Sequence, residues 1–361
     1  MLRILFCGGG SIGHLAPSIA VWEAVKKKRP DATSLFVCSG QRADRTFLRS
    51  AKVRFFSLHA PKWQLGLSML FFPILFPLAC IEAFCIILFF RPHIIFSKGG
   101  YVSVPLCLVG WALFRPIVLH ESDRIMGKAN RLLVRRASHL CIGTPQKEIA
   151  NDALLSKIGL PVTATGNPVR EEMLRGSLDG GRRVTGFSGK RPVLLVIGGS
   201  QGAAALNRAV RENLEELILF CDVLHLTGKG KLNPKIAHAR YWQREVLHEE
   251  LQHLYAFADV VVSRAGAGVI AELSVLGKVT ILVPLPDLAH SHQEENAHFL
   301  EMAQAAVVLP QELLQKKLTE TVKKLMEDPE ERSTLGTRLR ALAMPDAAIR
   351  IANVLLETAG K

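Results

Sequence analysis

Short apolar runs bounded by glycine, proline or charge recur along the chain, and most are spaced to leave room for one helix between them. LRILFC (2–7), TSLFVCS (33–39), VRFFSL (53–58), HIIFSK (93–98), PIVLHE (116–121), HLCIG (139–143) and PVTAT (161–165) read as strands of a first half. VLLVIG (193–198), DVLHLTG (222–228), DVVVSR (259–264), VTILVP (279–284) and AAVVL (305–309) read as strands of a second. Nearly continuous apolar runs suit parallel strands covered on both faces, and the intervening 3.6-residue periodicity supplies the covering helices. The pattern predicts an α/β protein with two doubly wound parallel sheets. We expect domains over 1–165 and 193–344, a glycine- and charge-rich linker over 166–192, and a last helix over 345–361 bracing the two.

The first strand of each half breaks into glycines and then opens a helix: Gly8, Gly9, Gly10, Ser11, Ile12, Gly13 and His14 in one, Gly198, Gly199, Ser200, Gln201 and Gly202 in the other. Such a turn lets the backbone approach an anion while the helix behind it aims unpaired N–H groups at the same point. Two nucleotide-type half-folds facing across a cleft are implied. Gly99, Gly100 and Tyr101 form a third turn of this kind after a strand.

Leu65 to Phe90 is apolar apart from Glu82, long enough to cross a bilayer roughly 30 Å thick. A crossing would put the first strand on the opposite side of the membrane from HIIFSK and PIVLHE, with which it should share a sheet. Pro73 and Pro77 should also interrupt a helix there. An interfacial or re-entrant segment is expected instead, with Lys62, Leu65, Phe71, Phe72, Phe76 and Arg91 at the membrane; a transmembrane span and a buried helix are the alternatives.

Charge sharpens this picture. Of the net +13, all lies in residues 1–165, which hold 21 Lys and Arg against 8 Asp and Glu; residues 166–361 hold 24 of each. No helix-turn-helix, zinc-finger or RNP pattern accompanies the basic half, so an anionic membrane surface is expected as partner and nucleic acid is not. The seven cysteines lie mostly in apolar runs without C-x-x-C spacing, which suits buried thiols in a reducing compartment. The N-terminal apolar run is too short for a signal segment, so a cytoplasmic location is expected.

Seven ordered blocks carry a resemblance: GGSIGHLAP (9–17), KGGYVSVP (98–105), HESDRIMGKAN (120–130), GNPVR (166–170), GGSQGAAALN (199–207), SRAGAGVIAEL (263–273) and HQEENA (292–297). In order and spacing the chain resembles the MurG family of glycosyltransferase family 28. The resemblance implies a GT-B glycosyltransferase architecture and inverting transfer of N-acetylglucosamine from UDP-N-acetylglucosamine to a polyprenyl-pyrophosphate-linked muramyl-pentapeptide. It also implies peripheral residence on the cytoplasmic face of the bacterial inner membrane, with no cofactor.

Such a transfer needs a base for the attacking hydroxyl and a counter-charge for departing UDP. His14 resembles the family's base candidate, with a turn-bound helix-start histidine as its structural alternative; Glu121 competes for that role, orients it, or pairs with Arg124 or Arg131. By the same resemblance Ser11, Gly13, Asp123, Arg170, Ser200, Gln201, Arg264, Ala265, Gly266, Glu272, Gln293 and Asn296 bind the donor, while Gly10, Ser11, Gly13, Gly99, Gly100 and Tyr101 cradle the acceptor pyrophosphate. A salt bridge between Glu272 and Arg264 is the structural alternative there. Asp287, His290 and His292 look ligand-like, yet two histidines two apart in a loop suit exposed or hydrogen-bonded positions, and no metal is expected.

Three departures from the family pattern fall in the acceptor half: Ile12 for a glycine, Ser122–Asp123 for Gln-Asn, and Met126 for proline. They leave open another membrane glycolipid transferase, or a non-catalytic nucleotide-sugar-binding relative.

Overall fold

The structure is a computed structural model that describes residues 1–10, 12–62, 70–144, 155, 158–199, 201–247, 249–286 and 292–360. Ser11, Leu65, Ser200, Asp287 and His290 lie outside the described residues.

Two compact units emerge, Met1–Arg170 with Met344–Lys361, and Glu171–Ala343. The strands of the first are β1 (Arg3–Cys7), β2 (Thr33–Ser39), β3 (Phe55–Leu58), β4 (Ile94–Ser97), β5 (Ile117–Glu121), β6 (His139–Ile142) and β7 (Val162–Ala164). They pair in parallel in the order β3-β2-β1-β4-β5-β6-β7. Around them lie α1 (Ile12–Lys28), α2 (Arg42–Ser50), α3 (Phe72–Phe90), α4 (Ser103–Ala112) and α5 (Lys128–Leu133).

The second unit has α6 (Leu178–Thr185), α7 (Ala204–Glu212), α8 (Leu214–Phe220), α9 (Leu251–Phe257), α10 (Ala267–Leu276), α11 (His292–Met302), α12 (Leu314–Glu327) and α13 (Pro329–Ala341). Its sheet is built from β8 (Val193–Ile197), β9 (Asp222–Leu226), β10 (Tyr241–Arg244), β11 (Val260–Ser263), β12 (Val279–Leu282) and β13 (Val307–Val308), parallel in the order β10-β9-β8-β11-β12-β13. Both are doubly wound, Rossmann-like sheets. The strand order reverses direction at β1/β4 in one and at β8/β11 in the other, and ligands of such folds bind beyond the carboxyl ends of the strands at that point.

Strand alternation builds a core on each side of the first sheet. Ile4 and Phe6 pack with Leu15, Ile19, Val25 and Phe47, whereas Leu5 and Cys7 pack with Ile86, Ile87 and Leu106. Phe6 stacks on Phe36 at 4.8 Å between centroids and meets Phe96 edge-on at 5.6 Å. The last helix, α14 (Ala347–Ala359), inserts Ile351, Ala352, Val354 and Leu355 into the core of the first unit beside α1.

Two segments fold differently from their sequence pattern. The 166–192 stretch, glycine-rich enough to read as a linker, contains a 3-10 turn at Glu171–Arg175 and then α6, capped by Ser177 Oγ accepting from Gly180 N–H at 3.1 Å. Its glycines serve close approach: a Cβ on Gly180 would lie 2.2 Å from the His253 ring, and one on Gly181 would lie 2.4 Å from Phe257, both on α9.

The second segment is α3, which runs unbroken through Pro73, in its first turn, and Pro77, inside the helix. Pro73 falls where N–H groups lack intrahelical partners. Apart from Glu82 the helix is apolar all round. Ala79, Ala83, Ile86 and Ile87 face inward, while Ile74, Leu78, Ile81, Phe84, Leu88 and Phe89 are exposed. Glu82 accepts from His59 N–H at 2.9 Å and sits 3.1 Å from the His59 ring nitrogen Nδ1.

Candidate active site

In the first unit the glycine turns following β1 and β4 meet at the strand-order reversal. Gly10, Gly99 and Gly100 all have positive φ (89°, 80° and 86°). A Cβ on Gly10 would approach the Tyr101 ring to 2.8 Å, and one on Gly100 would lie 3.1 Å from the Gly9 carbonyl and 3.8 Å from His14 Nε2. The backbone at Gly100 thus passes close to Gly9 and near the His14 ring. Lys62 Nζ lies 5.4 Å from the Tyr101 ring centroid, bringing a cation to the same turn. Gly10 N–H is donated to the Asp44 carboxylate at 2.9 Å, with Ser39 Oγ donating to the same oxygen at 2.6 Å. That amide is already occupied. Gly13 is exposed in the first turn of α1.

His14, half-buried one residue further along α1, has Nδ1 3.1 Å from the Lys98 carbonyl. A carbonyl only accepts, so Nδ1 carries the proton and the Nε2 lone pair is left for another group. Burial and the neighbouring Lys98 charge hold the ring's pKa below that of free imidazole, against the opposite pull of Asp123 and Asp44. A neutral imidazole with Nε2 able to take a proton is the form a general base requires.

Glu121, at the end of β5, uses both carboxylate oxygens. Oε1 accepts from Ser122 N–H (2.8 Å) and Asp123 N–H (3.1 Å); Oε2 accepts from Gly127 N–H and Asn130 Nδ2, each at 2.9 Å. Burial pushes its pKa up while these bonds pull it down. The carboxylate shapes the loop after β5 and so positions Asp123. Beneath it Lys98, only 3% exposed, donates to His120 Nδ1 at 2.8 Å and to Ser122 Oγ; His120 Nε2 in turn donates to the Gly166 carbonyl at 2.9 Å. Asn167 Nδ2 adds a bond to the Ser122 carbonyl at 3.0 Å. The GNPVR block is therefore tied into the first unit, and Arg170 places its guanidinium carbon 5.7 Å from the centre of the Phe47 ring.

In the second unit the turn after β8 has Gly199 and Gly202 at φ 79° and 67°. A Cβ on Gly202 would fall 2.1 Å from the Thr227 carbonyl, so this turn packs directly on the one after β9, where Gly228 has φ 87°. Asn207 Nδ2 donates to that same carbonyl at 2.7 Å and is fixed through its Oδ1 by His225, 3.0 Å away, which in turn meets Tyr241 Oη at 2.8 Å. Lys231 Nζ caps the Gly202 carbonyl at 3.1 Å. Gln201 is exposed at the turn.

Beside it, after β11, a Cβ on Gly266 or Gly268 would meet nothing within 4 Å, leaving open space at the start of α10. Asn296 Nδ2 fixes the Ala265 carbonyl at 3.0 Å, and Gln293 Oε1 accepts from Leu285 N–H at 3.1 Å. Glu272, half-buried on α10, accepts from Tyr255 Oη at 2.9 Å. Arg264 donates to the Val283 and Pro284 carbonyls, each at 3.1 Å, and to Gln311 Oε1 at 2.6 Å, so its guanidinium fastens the chain after β12.

Sequence pattern thus marked the turns and overlooked what braces them: Asp44, Lys98, His120 and Asn130 in one unit, Asn207, His225 and Lys231 in the other. For His120 and His225 the visible signal is a polar residue inside an apolar run, IVLHE and DVLHL.

The glycosyltransferase family 28 N-terminal domain matches residues 4–142, and the family's C-terminal domain matches residues 193–351. A Bacillus cereus protein named "UDP-N-acetylglucosamine--N-acetylmuramyl-(pentapeptide) pyrophosphoryl-undecaprenol N-acetylglucosamine transferase 2" is 35% identical over 335 residues, covering 91% of this chain and 93% of its own. A Clostridium kluyveri transferase of the same name, without the numeral, is 33% identical over 359 residues, covering 98% and 99%. Among solved structures, MurG of Acinetobacter baumannii superposes with a TM-score of 0.73 at 20% identity, over 99% of this chain and all of that one, a likeness of fold. With both family domains present in order and relatives above 30% identity along nearly its full length, the chain belongs to glycosyltransferase family 28 and, within it, to the MurG family.

Proposed function

We propose that this chain transfers N-acetylglucosamine, with inversion at the anomeric carbon, from UDP-N-acetylglucosamine to the muramyl sugar of an undecaprenyl-pyrophosphoryl-muramyl-pentapeptide, the step that makes lipid II for peptidoglycan. Kinship with relatives carrying that activity in their names supports the substrates. The observation that carries the chemistry is the His14 tautomer set by the Lys98 carbonyl. His14 Nε2 takes the proton of the acceptor hydroxyl as its oxygen bonds to the anomeric carbon, and UDP leaves with the electron pair of the broken bond. In the second unit the turn after β8 and the start of α7 receive the diphosphate, the open ground at Gly266 and Gly268 receives nucleoside and sugar, and Glu272 binds ribose hydroxyls. Glu121, saturated by four donors, organises the acceptor loop.

The exposed apolar face of α3 belongs at a lipid surface. It lies in the unit that holds the whole positive excess, with Lys62 and Arg91 close to its ends in sequence. Contact at the interface of an anionic leaflet would place the glycine turns near a lipid-linked diphosphate.

Turnover of a short-chain muramyl-lipid analogue with labelled donor tests the reading. The native chain is expected to transfer sugar; His14→Ala is expected to lose about 10²- to 10⁴-fold in kcat, and Glu272→Ala chiefly to raise the donor KM. Transfer to diacylglycerol alone, or donor binding without turnover on any lipid, would overturn it.

A further inference from the structure

We propose that Lys98 is a positioning residue for the transfer: its carbonyl sets the His14 ring, and its ammonium, fixed between His120 and Ser122, holds a positive charge behind that ring. The proposal rests on the transferase reading and adds to it a residue for which the reaction itself has no direct use.

Several observations converge on it. Lys98 is almost wholly buried, yet its hydrogen-bond acceptors are neutral: His120 Nδ1 at 2.8 Å and the Ser122 hydroxyl. The carboxylate next to it in the sequence of contacts, Glu121, accepts from four other N–H groups. Among the described residues no carboxylate pairs directly with this ammonium; burying such a charge is costly, and packing alone would favour a methionine or leucine there. The side chain also anchors the residue whose main-chain oxygen His14 touches. Lys98 stands between the last residue of β4 and two glycines in the left-handed region, with its own N–H donated to the Cys7 carbonyl at 3.1 Å. Pinning Nζ to β5 and to the loop after it adds a second hold on the residue that carries that oxygen.

The charge acts on the same ring. His14 faces Lys98 from the turn after β4, Asp44 from α2 and Asp123 from the loop after β5. Lys98 itself faces His120 and Glu121 of β5, Asp123, and Cys141 of β6. Burial is the larger force keeping His14 neutral, and the ammonium adds to it; without that charge burial alone would oppose Asp44 and Asp123, and the protonated form, which cannot serve as base, would gain ground. Burial lowers the Lys98 pKa to about 8, so its charge is present at neutral pH and is lost above that.

The test is NMR titration of His14 in the full chain, with ring carbons labelled, in wild type and in Lys98→Met. The His14 pKa should rise by about one unit in the variant, and the acid limb of kcat/KM for transfer to the muramyl-lipid analogue should move up with it. UDP-N-acetylglucosamine affinity, measured by calorimetry, should stay within twofold. An unchanged or lower His14 pKa in a variant that still binds the donor and melts like wild type would overturn the proposal. If the variant does not fold, wild type decides: its His14 resonance should show a second inflection near pH 8 as Lys98 loses its proton, and a single inflection would count against the idea. A wild-type chain that turns over no muramyl lipid refutes the transferase reading instead, and the NMR result on Lys98 and His14 still stands on its own.

Discussion

Lys98, His14, His120 and His225 are basic groups drawn into the protein and pressed toward their neutral forms, so each ties folding stability to pH with a sign that follows from its burial. For Lys98 the unfolded chain holds its proton up to about 10.5 and the folded chain only up to about 8. The penalty is fully present below pH 8 and is relieved between 8 and 10.5. Wild type should therefore gain on Lys98→Met by about 3 kcal/mol across that window, read from urea unfolding at stepped pH. For His225 the folded pKa is about 3 against an ordinary 6.5. Its neutral form supports the fold above 6.5, and that support is lost as the pH falls toward 3. His225→Gln should flatten the acid decline of the second unit's stability, an order-of-magnitude effect of about 5 kcal/mol over the window.

Among the elements, the turns were legible and the supports were not. Gly202 and Gly228 announce themselves by lying after apolar runs, but the reason neither tolerates a side chain is their mutual approach across two neighbouring strands, a distance no local pattern encodes. Gly202→Ala should weaken UDP binding at least tenfold in calorimetry, since it combines an unfavourable φ with a clash against backbone. Similar reasoning applies to the 166–192 stretch. Gly180 and Gly181 resemble flexible punctuation in one dimension and are helix-contact residues in three, where His253 and Phe257 fill the space a Cβ would need. The strand β10 went unnoticed because YWQR is four residues at a sheet edge with half its side chains outward, too short for a period. Helix α3 was visible as an apolar run. That one face packs inward while the other stays exposed is a property of the fold, which an evenly apolar run does not encode. Ile81→Glu, on the exposed face, should lower partition onto anionic vesicles at least tenfold in a sedimentation assay while leaving UDP affinity unchanged.

At the level of the whole molecule, the chain runs out of the first unit at Arg170, builds the second, and returns at Met344. Composition foretold two cores and the confinement of positive charge to one half. It did not reveal that α14 would complete the earlier half, because an apolar helix face reads the same whichever partner covers it. Leu355 is fully buried in that core. Leu355→Ala should cost the first unit about 2–5 kcal/mol and leave unfolding of the second unaltered, as two calorimetric transitions would report.

The return of α14 also bears on birth at the ribosome. Ile19, Val25 and Phe47 share a core with Ile351 and Leu355, so a nascent first unit must wait, its flank bare, while everything from Glu171 to Ala343 is translated. At roughly 5–20 residues per second that delay lasts about ten to thirty seconds, during which the bare flank is open to contacts with other chains.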